Sequence, residues 1–176
     1  MTKSIVFGSG CFWCSEAVFK VIGGVTSTQP GYSGGSVENP SYERVCDGDT
    51  GHAEVTKVEY DPEIISLSEL LDVFFSMHDP TSLNRQGDDI GEQYRSVIFY
   101  SNDDDRSVIT QKIEETQKDY SKKIVTAVEP LRNFYPAEEY HKDYFQKNPS
   151  RPYCKAVIAP KVNKIKHSYS EILVRT

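Results

Sequence analysis

The apolar run Ile5-Val6-Phe7 gives way at once to Gly8, Gly10 and then Cys11-Phe12-Trp13-Cys14. An apolar run, two glycines and an amphipathic stretch predict a strand, a tight turn and the start of a helix. Cys11 then falls at a helix N-terminus, where unpaired backbone N–H groups and the helix dipole favour negative charge. A thiol placed there is expected to ionise more easily than a free one. Phe12 and Trp13 set an apolar wall beside that sulfur, which suits chemistry on a small, mostly apolar group.

Length and charge bound the class of protein. The 176 residues suffice for one domain with a good core. Twenty basic against 26 acidic residues leave a formal charge of −6, and no basic block stands out, so nucleic-acid binding has little support. No apolar run approaches the ~20 residues of a membrane-spanning helix. Met1-Thr2-Lys3-Ser4-Ile5 has no signal-peptide core, so a cytoplasmic location is expected. In a reducing compartment Cys11, Cys14, Cys46 and Cys154 are mostly thiols, and any disulfide among them is transient and catalytic. Cys46 and His52 lie six apart and Cys154 stands alone, which is poor spacing for a zinc site.

Strands are expected over 4–8, 25–30, 55–60, 97–100 and 127–129, and helices over 12–21, 66–77, 102–120 and 138–146. Ser66-Leu67-Ser68-Glu69 is a capping-box pattern, and Gly23-Gly24 stops the first helix. Residues 31–40 and 79–93 read as loops, and the chain beyond Pro149 reads as irregular with a basic, polar tail. This alternation fits one α/β or α+β sheet covered by helices, without revealing strand order. The long loops are the natural carriers of binding and catalytic groups.

C-x-x-C spacing puts Cys11 and Cys14 on one face of a first helical turn, as a redox pair, half of a metal site or two semi-buried thiols. Two further segments carry candidates. In 39–54, Tyr42 precedes Glu54, which stands at the beginning of a strand. A carboxyl near apolar walls stays protonated and serves as a general acid; a solvated Glu and a core Tyr fit the same letters. In 79–96, Tyr94 at a strand edge either offers a phenol to a pocket or belongs to a purely structural loop.

These segments together resemble the A-type peptide-methionine sulfoxide reductases, which act on the S epimer of the sulfoxide. The resemblance rests on Gly10-Cys11-Phe12-Trp13, Gly31-Tyr32-Ser33-Gly34-Gly35, Asn39-Pro40-Ser41-Tyr42 with Val45-Cys46, and Gly48-Asp49-Thr50-Gly51-His52-Ala53-Glu54. It continues through His78-Asp79-Pro80-Thr81, Arg85-Gln86-Gly87, Asp89, Gly91 and Gln93-Tyr94-Arg95-Ser96. Asn133-Phe134-Tyr135, Ala137-Glu138-Glu139-Tyr140-His141 and Lys147-Asn148-Pro149 complete it, over roughly 4–155 and in family order.

The resemblance implies a two-layer α/β sandwich of ferredoxin-like type, one domain over 1–176, with a catalytic core at about 4–148 and a recycling segment from about 149. It implies no metal and no organic cofactor. Cys11 would be the nucleophile, Phe12 and Trp13 the cage around the S-methyl, Glu54 the acid, and Tyr42 and Tyr94 the donors to the sulfoxide oxygen. Asp89 would help hold the polar network. Cys154 resembles the recycling cysteine of many members and is expected to resolve first. Cys14, where the family most often has Gly, would relay or replace it, although a disulfide across one helical turn needs its Cβ atoms ~3.8 Å apart. Asp88 stands where Asn is commoner. Cys46 is expected to be a structural thiol. The implied partners are methionine sulfoxide, free or in proteins, and a thioredoxin-like dithiol; a monomer is the simplest expectation. A general C-x-x-C thiol–disulfide oxidoreductase would explain the cysteines but not Glu54, Tyr42 and Tyr94. A non-catalytic module binding apolar or oxidised side chains through Phe12 and Trp13 is the third reading.

Overall fold

The computed structural model describes residues 1–174. Its elements run β1 (Lys3–Ser9), α1 (Phe12–Lys20), β2 (Val25–Ser33), α2 (Tyr42–Asp47), β3 (Ala53–Tyr60), α3 (Leu67–Met77), β4 (Arg85–Gln86) and β5 (Asp89–Ile90). They continue through β6 (Ser96–Tyr100), α4 (Asp103–Gln117), β7 (Ala127–Pro130), β8 (Tyr135–Pro136), α5 (Tyr144–Lys147) and α6 (Ala159–Ser168). The main sheet has the order β7-β6-β1-β3-β2-β8, and β4 pairs with β5 as a separate hairpin. Its four central strands pair antiparallel at each step; β7 joins β6 in parallel and β8 joins β2 antiparallel. The run β1-α1-β2-β3-α3-β6, folded into the order β6-β1-β3-β2, is the ferredoxin-like split βαβ arrangement.

The period-2 alternation of the strands decides what each face carries. Ile5, Phe7, Val58, Tyr60 and Ile98 face the helical layer with Val18, Phe19, Leu70, Leu71 and Phe74. Phe7 stacks between Phe19 and Phe74, with ring centroids 5.0 and 4.9 Å away. Val6, Val55, Val97 and Phe99 point to the opposite face, under Leu131 and Phe134. The expected capping box closes α3, with Ser66 and Glu69 bonded reciprocally.

Beyond the small β4–β5 hairpin within the expected 79–93 loop, the helical turn Glu92–Tyr94 at its end and the two-residue β8, three stretches differ from the sequence expectation. The segment after Pro149 is helical rather than irregular: a π-helical stretch, Cys154–Ile158, runs into α6. Cys154, Ile158, Val162 and Ile165 form its buried stripe, and the intervening lysines hid that spacing. Two terminal residues of the expected recycling segment, 175–176, lie outside the described residues. The helix expected over 138–146 is broken by Asp143 at φ +56° into a short turn, Glu139–His141, and α5. Residues 31–52 hold the unanticipated α2, which is capped by the Ser41 side chain and stopped by Gly48 at φ +79°.

Candidate active site

Glu54 occupies an even position of β3, so its side chain lies on the helical face with Thr56 and Val58, under the first turn of α1. The N–H of Phe12 donates to Glu54 Oε1 at 3.2 Å. The carboxyl is 1% exposed, and its other oxygen, Oε2, is buried with no hydrogen-bond partner among the described residues. Burial pushes it up to about 8, opposed by the Phe12 N–H and assisted by the charges of Asp89 and Cys14. Glu54 is therefore a buried carboxylic acid at neutral pH.

Cys11 is the N-cap of α1, with φ −57° and ψ 126°. The turn before it needs glycine: Gly10 has φ +100°, and a Cβ there would meet Gln86 Cγ at 2.9 Å. Gln86 also bonds both ways with the Asp79 backbone, so the β4–β5 hairpin is fixed beside the cysteine. The thiol's ionisation differs from the sequence expectation. Burial, the hydrogen bond to Cys14 and the charge of Glu54 push Cys11 up, outweighing its N-terminal position. The lowered thiol is Cys14, brought to about 7 against burial, chiefly by the hydrogen bond from Cys11 and also by the charge of Lys161. The two thiols titrate jointly.

Aromatic rings close the site. Phe12 is fully buried against Tyr32, Tyr42 and His141, with centroids 5.7, 6.3 and 4.9 Å away. Trp13 donates its Nε1–H to His141 Nδ1 at 2.9 Å, stacks on Tyr144 at 3.7 Å and 6°, and meets Tyr153 edge-on at 6.0 Å. Burial first, and then the charge of Glu54, raise both Tyr42 and Tyr94. Both phenols keep their protons and remain donors. Cys11 and Asp89 also lie within electrostatic reach of Tyr94.

Asp89 Oδ2 accepts the Tyr153 hydroxyl at 2.9 Å, while Cys14 Sγ lies 3.8 Å from the Tyr153 hydroxyl oxygen. The shorter, charge-assisted contact takes the single phenol proton. Cys154 is 0% exposed, packed in the core with Cys14, and burial raises it, as does the charge of Cys14. Cys46, expected to be a structural thiol, is exposed on α2, and partial burial raises it. Among the described residues no cluster of three His, Cys, Asp or Glu side chains could hold a metal ion.

Cys11, Phe12, Trp13, Tyr42, Glu54, Tyr94 and Asp89 thus meet around one turn. Sequence reading missed the supporting residues. Glu138 accepts the Tyr32 hydroxyl at 2.9 Å and the Tyr42 N–H at 3.0 Å; His141, Tyr144 and Tyr153 hold Trp13. Glu138 and His141 stood inside a quoted motif, but nothing in a linear pattern says what a residue some 130 positions downstream will touch.

A ferredoxin-like sandwich that places a buried acid, phenol donors and a cysteine at one helix N-terminus defines a thiol-dependent oxidoreductase. A family model described as peptide methionine sulfoxide reductase matches residues 3–172. A peptide methionine sulfoxide reductase MsrA from Campylobacter jejuni is 57% identical over 163 residues, spanning 93% of this chain and 98% of that protein. The reduced form of Mxr1 from Saccharomyces cerevisiae superposes with a TM-score of 0.81 at 42% identity, covering 87% of this chain and 89% of that one. Mxr1 in complex with Trx2 matches at a TM-score of 0.57 and 31% identity, over 81% and 84% of the two chains. The chain belongs to the A-type peptide methionine sulfoxide reductase family, and it is an oxidoreductase that reduces methionine sulfoxide.

Proposed function

We propose that this chain reduces the S epimer of methionine sulfoxide, free or within proteins, through a sulfenic acid on Cys11. The methyl group sits between Phe12 and Trp13. Tyr42, Tyr94 and the protonated Glu54 donate to the sulfoxide oxygen and draw electron density from sulfur. Preorganised donors of this kind are worth roughly 3 kcal/mol each. Cys11 Sγ attacks and the S–O bond breaks. Net, one thiol and one sulfoxide become one thioether and one sulfenic acid, with the thiol proton ending on the transferred oxygen. The observation that carries this reading is the buried, neutral Glu54 beside Cys11, its second oxygen unpartnered among the described residues. A plain dithiol oxidoreductase has use for a buried acid but not for the two phenols, Tyr42 and Tyr94, raised by burial and by the same carboxyl.

A second thiol then displaces water from the sulfenic acid to give a disulfide, and an external dithiol reduces that disulfide by exchange. Cys14 and Cys154 are the recycling thiols, the latter on the segment that begins at about 149. What supports Cys14 as first resolver, ahead of the order expected from sequence, is its place on the same turn, its N–H donating to the Cys11 carbonyl at 3.1 Å, with the two thiols titrating as a pair. Cys11 has non-helical backbone, which frees its Cβ from helical i,i+3 spacing. Cys154 packs beside Cys14 and follows it. The Mxr1–Trx2 complex supports a thioredoxin-type protein as the reductant.

The test is stopped-flow reduction of a methionine sulfoxide peptide. Cys11→Ser is expected to abolish product. Glu54→Gln is expected to slow sulfoxide reduction about 100- to 1,000-fold while leaving exchange of a preformed disulfide near its normal rate. Equal slowing of both reactions would sink the acid role. Free-thiol counts after one turnover without reductant order the resolvers: Cys14→Ser is expected to delay disulfide formation more than Cys154→Ser, and the reverse would restore Cys154 to first place.

A further inference from the structure

Glu16 is a carboxyl in the helical layer for which the chemistry above has no use. It lies one turn after Trp13 on α1 and is 1% exposed. Its Oε2 accepts the Thr28 hydroxyl of β2 at 3.1 Å, and its Oε1 accepts the Asp143 N–H at 2.7 Å. Asp143 is the left-handed residue, φ +56°, that starts α5, and its side chain pairs with Lys20. Tyr144, the ring stacked on Trp13, is the very next residue; His141, which accepts the Trp13 Nε1–H, is two residues earlier. Residues three apart share a helix face, so the indole and the carboxyl that anchors its supports project from α1 in one direction.

A left-handed non-glycine residue is strained unless its surroundings hold it, and the bond to a buried carboxyl is strong enough to do so. We infer that Glu16 is a positioning residue: by pinning the Asp143 turn it fixes Tyr144 and His141, and through them the Trp13 indole and the affinity for the sulfoxide. The inference rests on the reading of Trp13 as a wall of the methyl site.

Trp13 is the single tryptophan of the chain, so fluorescence excited beyond the absorption of the tyrosines reports this indole. Glu16→Ala is expected to shift Trp13 emission to the red, make it more open to acrylamide, and raise KM for methionine sulfoxide about tenfold, with kcat within about twofold. Glu16→Asp keeps the carboxyl but withdraws it about 1.5 Å, beyond reach of Asp143; it is expected to do the same, and it carries the test if the alanine variant does not fold. Glu16→Gln keeps an acceptor at full reach and is expected to restore both readings. Folded Ala or Asp variants with unchanged emission would overturn the inference, and so would a Gln variant as impaired as Ala. Altered emission with unchanged KM would leave Glu16 as the anchor of the indole and overturn the reading of Trp13 as a substrate wall.

Discussion

At the scale of residues, the ionisation of Glu54 controls the chemistry. A carboxyl held up at about 8 is charged only above that pH, and the charged form cannot give a proton to the sulfoxide. Relative to Glu54→Gln, which shares any titration of Cys11, the single-turnover rate of sulfoxide reduction is therefore expected to hold across neutrality and then to fall about tenfold per pH unit well above 8. A wild-type limb that survives intact in the glutamine variant would assign it to another group. Much of this residue-level picture was legible in the sequence, because each catalytic candidate is a distinctive letter next to a turn. The state of the thiols was not. A helix N-terminus argues for a low Cys11 pKa, and only the packed structure shows burial and the neighbouring Cys14 reversing it.

At the scale of elements, the strands and the capped α3 were readable because their apolar periods are clean. The C-terminal helix was not, because lysines and prolines mask the spacing of four inward residues. Packing makes that helix. Ile158 is fully buried between Cys154 and α6, in the same core as Phe74 and Val18. Ile158→Ala is expected to destabilise the fold by about 2–4 kcal/mol, read as a lower urea midpoint. The same cavity loosens the turn that buries Cys154, so alkylation of that thiol by iodoacetamide, followed by mass mapping, should speed up well before global unfolding. Alkylation that accelerates only in step with global unfolding would mean that the turn and the core open as one unit.

At the scale of the whole molecule, the buried ionisable groups tie stability to pH. Glu54 is raised from 4.5 to about 8 on folding, so its contribution is fully present below pH 4.5 and is lost as pH rises through 8. At 1.36 kcal/mol per pH unit the loss approaches roughly 4–5 kcal/mol. His78, buried with its Nδ1 and Nε2 bonded to Phe74 O and Ser96 Oγ, is pushed down from 6.5 to about 4. Its stabilisation has the opposite sense: present above pH 6.5 and lost as pH falls through 4. The Cys11–Cys14 pair, with Cys14 brought to about 7 and Cys11 held up, titrates jointly and adds its own dependence only from pH 7 upward. The three windows overlap in the wild type, so the informative quantity is the difference between Glu54→Gln and wild type at each pH. That difference in Tm is expected to be smallest near pH 5 and to grow through pH 8.5 in favour of the glutamine variant, by several degrees at ~2–4 °C per kcal/mol for a chain of this size. A difference that stays flat from pH 5 to 8.5 would mean that Glu54 ionises as easily in the fold as in the unfolded chain, and the acid at the centre of the site would lose its physical basis. A difference that grows as expected would make the opposite point: the fold gives up stability on the alkaline side to keep one carboxyl neutral beside Cys11.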